Sequence, residues 1–254
     1  MNFTNKTAIV TGAASGMGLL FSENFAALGG NVVMCDINSQ VLDAKTAEIN
    51  SAGHGRAVGA VCDVRDYVQV CAARDKAVET FGSIDLMVNF AGGYAPRMRN
   101  VDRTQYPEFP DVPMEVFDWG IDVNLKGPFY FAHAVLKQMR VQKSGLIINI
   151  GSIVGAEGDE YGMEYPTSKA GLMYGLTKSV AQYGSKYNVR CVCVSPGPVL
   201  TRAAMASMKT LLGRAAEPQE IIDLCLFIAS DKGQFINGEN IMIDGGRNSM
   251  NRQD

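Results

Sequence analysis

The 254-residue sequence lacks a membrane span: nowhere do the roughly 20 apolar residues that a transmembrane helix needs run together. It is also poor in metal ligands. Its two histidines, His54 and His133, are far apart, and its six cysteines (Cys35, Cys62, Cys71, Cys191, Cys193 and Cys225) form no C-x-x-C pair. Cys191 and Cys193 share a strand face, but no second pair of ligands accompanies them, so no metal site is expected. The cysteines read as small core hydrophobes of a reducing compartment. Charge of neither sign dominates: 23 Lys+Arg face 26 Asp+Glu, for a net charge of −3. Phosphate backbones and anionic lipid therefore gain no general attraction, and neither nucleic acid nor membrane is expected as a partner. The opening residues carry a single Lys and a four-residue apolar stretch. That is too short for a signal-peptide core, so a cytoplasmic location is expected.

What is present is globular: 47% hydrophobic and 19% charged residues, enough apolar content for one substantial core. Short Val/Ile-rich runs alternate with longer stretches of helical spacing. The runs predict strands over Thr7–Val10, Asn31–Cys35, Ala57–Cys62, Ile84–Asn89, Leu146–Ile150, Val189–Val194 and Ile241–Ile243. Helices are predicted near Met17–Leu28, Ser39–Asn50, Tyr67–Phe81, Met114–Arg140, Met163–Lys186 and Pro218–Ile228. Strict alternation predicts an α/β fold, a doubly wound, seven-stranded parallel sheet with helices on both faces, over 1–254 as one domain. Three segments break the rhythm, each beyond the carboxyl end of a strand, where such sheets bind ligands. They are 92–113 (four prolines, three arginines, two tyrosines), 151–162 (glycine-rich and acidic) and a lid over 196–217.

The first strand runs into Thr11-Gly12-Ala13-Ala14-Ser15-Gly16-Met17-Gly18 and then a helix. Such a turn lets backbone N–H groups and the positive helix end approach a pyrophosphate. Asp36 ends the second strand, 18 residues after the last glycine. There it can accept both adenosine ribose hydroxyls and repel a 2′-phosphate, so NAD(H) is favoured over NADP(H). No basic residue at Ser15 or Ile37 reverses that preference.

With its three-residue first gap, Gly12-x-x-x-Gly16-x-Gly18 resembles the turn of the short-chain dehydrogenase/reductase family. The resemblance extends in order through Asp63-Val64, Asn89-x-Ala91-Gly92, Asn124, Ser152, Tyr165-x-x-x-Lys169, Pro196-Gly197 and Asp244-Gly245-Gly246. Phe90 departs from it, standing where the family usually has a second Asn. The resemblance implies a cofactor site of Gly12, Ser15, Gly16, Met17, Gly18, Asp36, Ile37, Asp63, Val64, Asn89, Ala91, Gly92, Tyr165, Lys169, Pro196, Gly197, Val199 and Thr201. Within it, Asp63 and Val64 meet the adenine and Pro196, Gly197, Val199 and Thr201 the nicotinamide side. It also implies that Ser152 binds the substrate oxygen, Lys169 the nicotinamide ribose, and Asn124 a water that relays protons to Lys169.

Tyr165 and Lys169 stand four apart on one helix face. A free phenol, with a pKa of about 10, is a poor base near neutrality. A nearby ammonium and an oxidised nicotinamide ring are expected to lower that value and make Tyr165 a general acid/base. The expected reaction interconverts a secondary alcohol and a ketone. Glu157 and Tyr161, in the loop between Ser152 and Tyr165, and Met205, in the lid, are the candidate substrate residues. The acid at Glu157 favours a polyol or sugar. The Met- and Leu-rich lid suits a hydroxysteroid instead, and a 3-oxoacyl thioester is a third candidate, weakened by Asp36. A dinucleotide sensor without turnover is the competing function class, disfavoured because a binding module needs no tuned phenol. Apolar surface on the two long helices, including Phe117, Phe129, Phe131, Tyr174 and Tyr183, predicts a homotetramer.

Overall fold

A computed structural model describes residues 1–250. Seven strands, β1 (Thr7–Thr11), β2 (Asn31–Asp36), β3 (Arg56–Val61), β4 (Leu86–Asn89), β5 (Gly145–Ile150), β6 (Val189–Pro196) and β7 (Asn240–Ile243), form one sheet. Its order is β3-β2-β1-β4-β5-β6-β7, and every pair is parallel. The order reverses between β1 and β4, and a crevice opens there at the carboxyl ends of the strands.

The strands have almost no solvent-facing alternation because helices cover both faces. Successive side chains of β1 divide between two cores: Ala8 and Val10 pack with Phe21, Phe25 and Ile221, whereas Ile9 packs with Val70, Phe131 and Val180. Helices α1 (Gly16–Ala27) and α2 (Ser39–Ala52) connect the first three strands, and α3 (Tyr67–Phe81) leads to β4. Asp66 caps α3, accepting bonds from the N–H groups of Val68 and Gln69. Five of the six cysteines are buried, and all six are free thiols. Among the described residues no helix is long and apolar enough to cross a membrane.

The structure corrects the long helices. The first is broken into α5 (Met114–Ile121), a π-helical turn over Asp122–Lys126, and α6 (Gly127–Gln142), after the short helix α4 (Ala95–Met98). Pro128, in the first turn of α6, has no N–H to offer the preceding turn, which widens. Beyond the short α7 (Val154–Glu157), the second is divided into α8 (Glu164–Ala170), a π-helical turn over Gly171–Leu176, and α9 (Thr177–Gly184). The last helix is α10 (Pro218–Ala229). Phe117 and Phe131 are core residues, whereas Phe129, Tyr174 and Tyr183 are exposed. Phe117 packs with Ala95, Val112, Val116 and Tyr161 in a small separate core that supports the segment after β4.

Candidate active site

Two clefts lie along the carboxyl edge of the sheet and share Met17, Phe90 and Gly92, so they form one groove. The first, about 350 Å³, is lined by Gly12, Ser15, Met17, Gly18, Asp36, Ile37, Asp63, Val64, Ala91 and Gly92, with Arg65 and Trp119 among the others. Gly18 is required by close approach: a Cβ there would stand 2.3 Å from the Gly12 carbonyl oxygen. Gly12 and Gly16 have φ of +65° and +56°, the left-handed region that glycine tolerates. The turn thus keeps side-chain atoms out of the space before the N-terminus of α1, as a pyrophosphate would require.

Asp36 is held on both oxygens, accepting from the Ala14 N–H at 3.1 Å and the Asn38 N–H at 3.0 Å. Its carboxylate therefore faces the groove in a fixed orientation. Arg65, the cation nearest this end, is engaged by Asp63 through bonds of 2.6–3.1 Å. That contact holds the Asp63 carboxyl below its usual range. Val64 packs over Gly127, where a Cβ would meet its Cγ2 at 2.8 Å. Asn89 does not line the groove; its Nδ2 donates to Asn149 Oδ1 at 2.9 Å beneath the floor. Phe90, the departure from the family pattern, packs tilted against Phe21 with ring centroids 5.7 Å apart.

The second cleft, about 490 Å³, brings Ser152, Tyr165, Lys169, Pro196, Gly197, Val199, Thr201 and Met205 together. Lys169 is buried, its Nζ 5.5 Å from the centre of the Tyr165 ring and donating to the Ile150 carbonyl at 2.8 Å. Burial lowers its pKa to about 8. Burial raises the pKa of Tyr165, while the Ser152 hydroxyl and the charges of Arg202 and Arg97 pull the other way. Desolvation of the phenol thus outweighs the cations around it.

Asn124, in the π-helical turn, points inward and bonds to Gly93 and Gly120. The sequence-based substrate residues divide. Met205 lines the cleft. Glu157 turns away to pair with Arg247, at 2.9 and 3.3 Å. Tyr161 is 4% exposed and its hydroxyl donates to the Tyr106 carbonyl at 2.6 Å, with Arg103 over its ring. Neither lines the cleft. Tyr94, Arg97, Asp159 and Arg202, all in the lining, were not singled out as substrate residues from the sequence. Their only signal was position, in segments beyond the ends of β4, β5 and β6.

Comparison with known proteins agrees with this geometry. Residues 6–211 match the family described as short chain dehydrogenase. A 7alpha-hydroxysteroid dehydrogenase of Bacteroides fragilis is 34% identical, covering 96% of this chain and 95% of its own. A trans-4-hydroxycyclohexanecarboxylate dehydrogenase of Sinomonas cyclohexanicum is 37% identical, covering 98% and 96%. Among solved structures, a 7 alpha-hydroxysteroid dehydrogenase complexed with NADH and 7-oxo glycochenodeoxycholic acid superposes with a TM-score of 0.84. It is 28% identical and covers 97% of this chain and 95% of its own.

Proposed function

The chain belongs to the short-chain dehydrogenase family and is an oxidoreductase of CH–OH groups; from that premise we propose that it uses NAD(H) to interconvert a secondary alcohol and its ketone. The observation that carries this is the meeting of Ser152, Tyr165 and Lys169 in the cleft continuous with the glycine turn. When bound, the nicotinamide supplies or accepts the hydride. The protein moves the proton. In ketone reduction Tyr165 gives its phenolic proton to the substrate oxygen while the Ser152 hydroxyl steadies the charge forming there. In alcohol oxidation the phenolate takes that proton back. Lys169 stands behind the ring and favours the phenolate whenever it is charged.

The preference for NAD(H) over NADP(H) is supported by the fixed Asp36 carboxylate and by the occupation of Arg65 by Asp63. Asn124 acts by fixing the Gly93 backbone beside the site. The described residues form one domain, and the substrate is bound by the segments 92–113, 151–162 and 196–217 rather than by a second domain. The polyol reading loses its ground, because Glu157 is neutralised by Arg247 and lies outside the cleft. The apolar wall of Tyr94, Ile153, Val154, Met205 and Met208 favours a hydrocarbon body. Exposed Phe129, Tyr174 and Tyr183 support assembly into a homotetramer, which sedimentation would test.

The deciding experiment follows NADH absorbance at 340 nm with cyclic ketones and alcohols, using wild type and Tyr165→Phe. The expected result is turnover by wild type, and a variant that still binds NADH but turns over nothing. Undiminished activity in Tyr165→Phe, or none in wild type, refutes the reading.

A further inference from the structure

Two arginines on the walls of the substrate cleft neither give nor take the transferred proton. Arg97 comes from α4, after β4, and Arg202 from the segment after β6. β5 lies between those strands and leads into Ser152 and Tyr165, so the two cations flank the reacting groups from opposite sides. Arg97 Nη2 would lie 3.7 Å from a Cβ built on Gly93, the residue Asn124 grips. Both cations act on the Tyr165 phenol.

Neither guanidinium has an acid partner among the described residues; the contact of Arg202 is with the Met205 sulfur, at 3.6 Å. Arg65, Arg214 and Arg247 are by contrast each held by a carboxylate. Asp159, the acid in the same lining, is committed to its own loop: Oδ1 accepts from the Tyr161 and Gly162 N–H groups and from the Tyr94 hydroxyl. Glu164, beneath Tyr165, is buried, bonded to the Ala95 N–H, and driven toward its neutral form by burial. Burial and the charge of Arg202 both disfavour the charged form of Arg97. Two exposed like charges on one cleft, neither in an ion pair among the described residues, present a site that an anion between them would fill.

We propose that Arg97 and Arg202 form a clamp for a carboxylate, and that the substrate is a hydroxy acid or oxo acid whose carbinol carbon lies at Ser152 and Tyr165. The planar guanidinium forks suit a carboxylate, and the apolar wall accommodates the hydrocarbon between the two functional groups. The inference rests on the oxidoreductase reading above and adds the substrate's second functional group.

The test has a binding arm and a turnover arm. Cyclohexanecarboxylate, its methyl ester and inorganic phosphate are titrated into the protein–NADH complex by calorimetry. Turnover of 4-oxocyclohexanecarboxylate is compared with that of its methyl ester. The clamp predicts that the acid binds and reacts at least about tenfold better than the ester. Arg97→Leu and Arg202→Leu each shrink that ratio, mainly through KM, the double variant brings it to about one, and Arg97→Lys or Arg202→Lys retains part of it. NADH binding by each variant reports that it folds. Equal binding of acid and ester, binding of neither, tighter binding of phosphate than of the acid, or a ratio unchanged in the double variant overturns the clamp. Ester turnover at the rate of the acid fails the clamp alone. Acid-selective binding without turnover of any ketone upholds the clamp and fails the oxidoreductase reading.

Discussion

Asn124 holds Gly93 from both sides: its Oδ1 accepts the glycine N–H and its Nδ2 donates to the glycine carbonyl, each at 2.9 Å. One side chain thus acts as a two-point strut between the π-helical turn and the segment that carries Tyr94 and Arg97. Gly92 beside it is glycine by necessity, since a Cβ there would meet Asn124 Oδ1 at 2.6 Å. Asn124→Ala frees the Gly93 N–H and the carbonyls of Gly93 and Gly120 in a part-buried site. The expected loss is about 2–4 kcal/mol, at about 1–3 kcal/mol for a buried polar group left unpaired. Thermal melting checks the stability, and kcat/KM should fall in parallel because the wall of the cleft loosens.

The protonation of Tyr165 predicts opposite pH behaviour for the two directions. With the phenol raised above its ordinary value in the free protein, ketone reduction has its proton donor ready throughout the neutral range. Its rate should hold until the phenol ionises at alkaline pH. Alcohol oxidation needs the phenolate and should climb with pH over the same interval. Arg97 and Arg202 both pull the phenol down, so Arg202→Gln should move the alkaline limb of oxidation to higher pH. A limb that stays or moves down would contradict the electrostatic account.

The sheet was legible in the sequence because parallel strands buried on both faces leave uninterrupted Val/Ile runs, and each of the seven runs became a strand. Ser152, Tyr165 and Lys169 were legible through the ordered resemblance to the family, with which a strand end and one helical turn are compatible. The breaks at Asp122–Lys126 and Gly171–Leu176 were not, since a π-turn keeps the apolar period nearly intact. Glu157 and Tyr161 lie in the loop beside the cleft, and their side chains turn to Arg247 and Tyr106 instead of into it. Sequence fixes that a loop passes the cleft, whereas Arg247, 90 residues away, decides where the Glu157 carboxylate turns. Arg97 and Arg202 look like ordinary solvated cations until β4 and β6 bring their loops to opposite walls.

Cofactor choice is testable at Asp36. A carboxylate already bonded to Ala14 and Asn38 cannot swing away from a 2′-phosphate, so like-charge repulsion persists in the complex. Asp36→Ser should raise kcat/KM for NADPH relative to NADH by roughly tenfold or more, since juxtaposed like charges cost several kcal/mol. A wild type that uses both cofactors equally would show that Asp36 does not set the preference.

Lys169 is where function and stability should conflict most openly. Its ammonium is buried, and its pKa of about 8 lies well below the ordinary value of 10.5. Below pH 8 both folded and unfolded chains bind the proton, and the fold bears the whole cost of burying the charge. Between pH 8 and 10.5 the unfolded chain binds more protons than the folded one, so wild-type stability rises with pH. Above 10.5 the penalty is gone. The gap between the two pKa values corresponds to on the order of 3 kcal/mol. Lys169→Met, which keeps the length and loses the charge, should therefore melt higher than wild type near pH 7 in the absence of cofactor. That advantage should fade as pH approaches 10.5, while alcohol oxidation is lost at every pH. Melting curves of the two proteins across pH 7–10 check it. A variant less stable than wild type at pH 7 would mean that the bond from Nζ to the Ile150 carbonyl outweighs the desolvation of the charge.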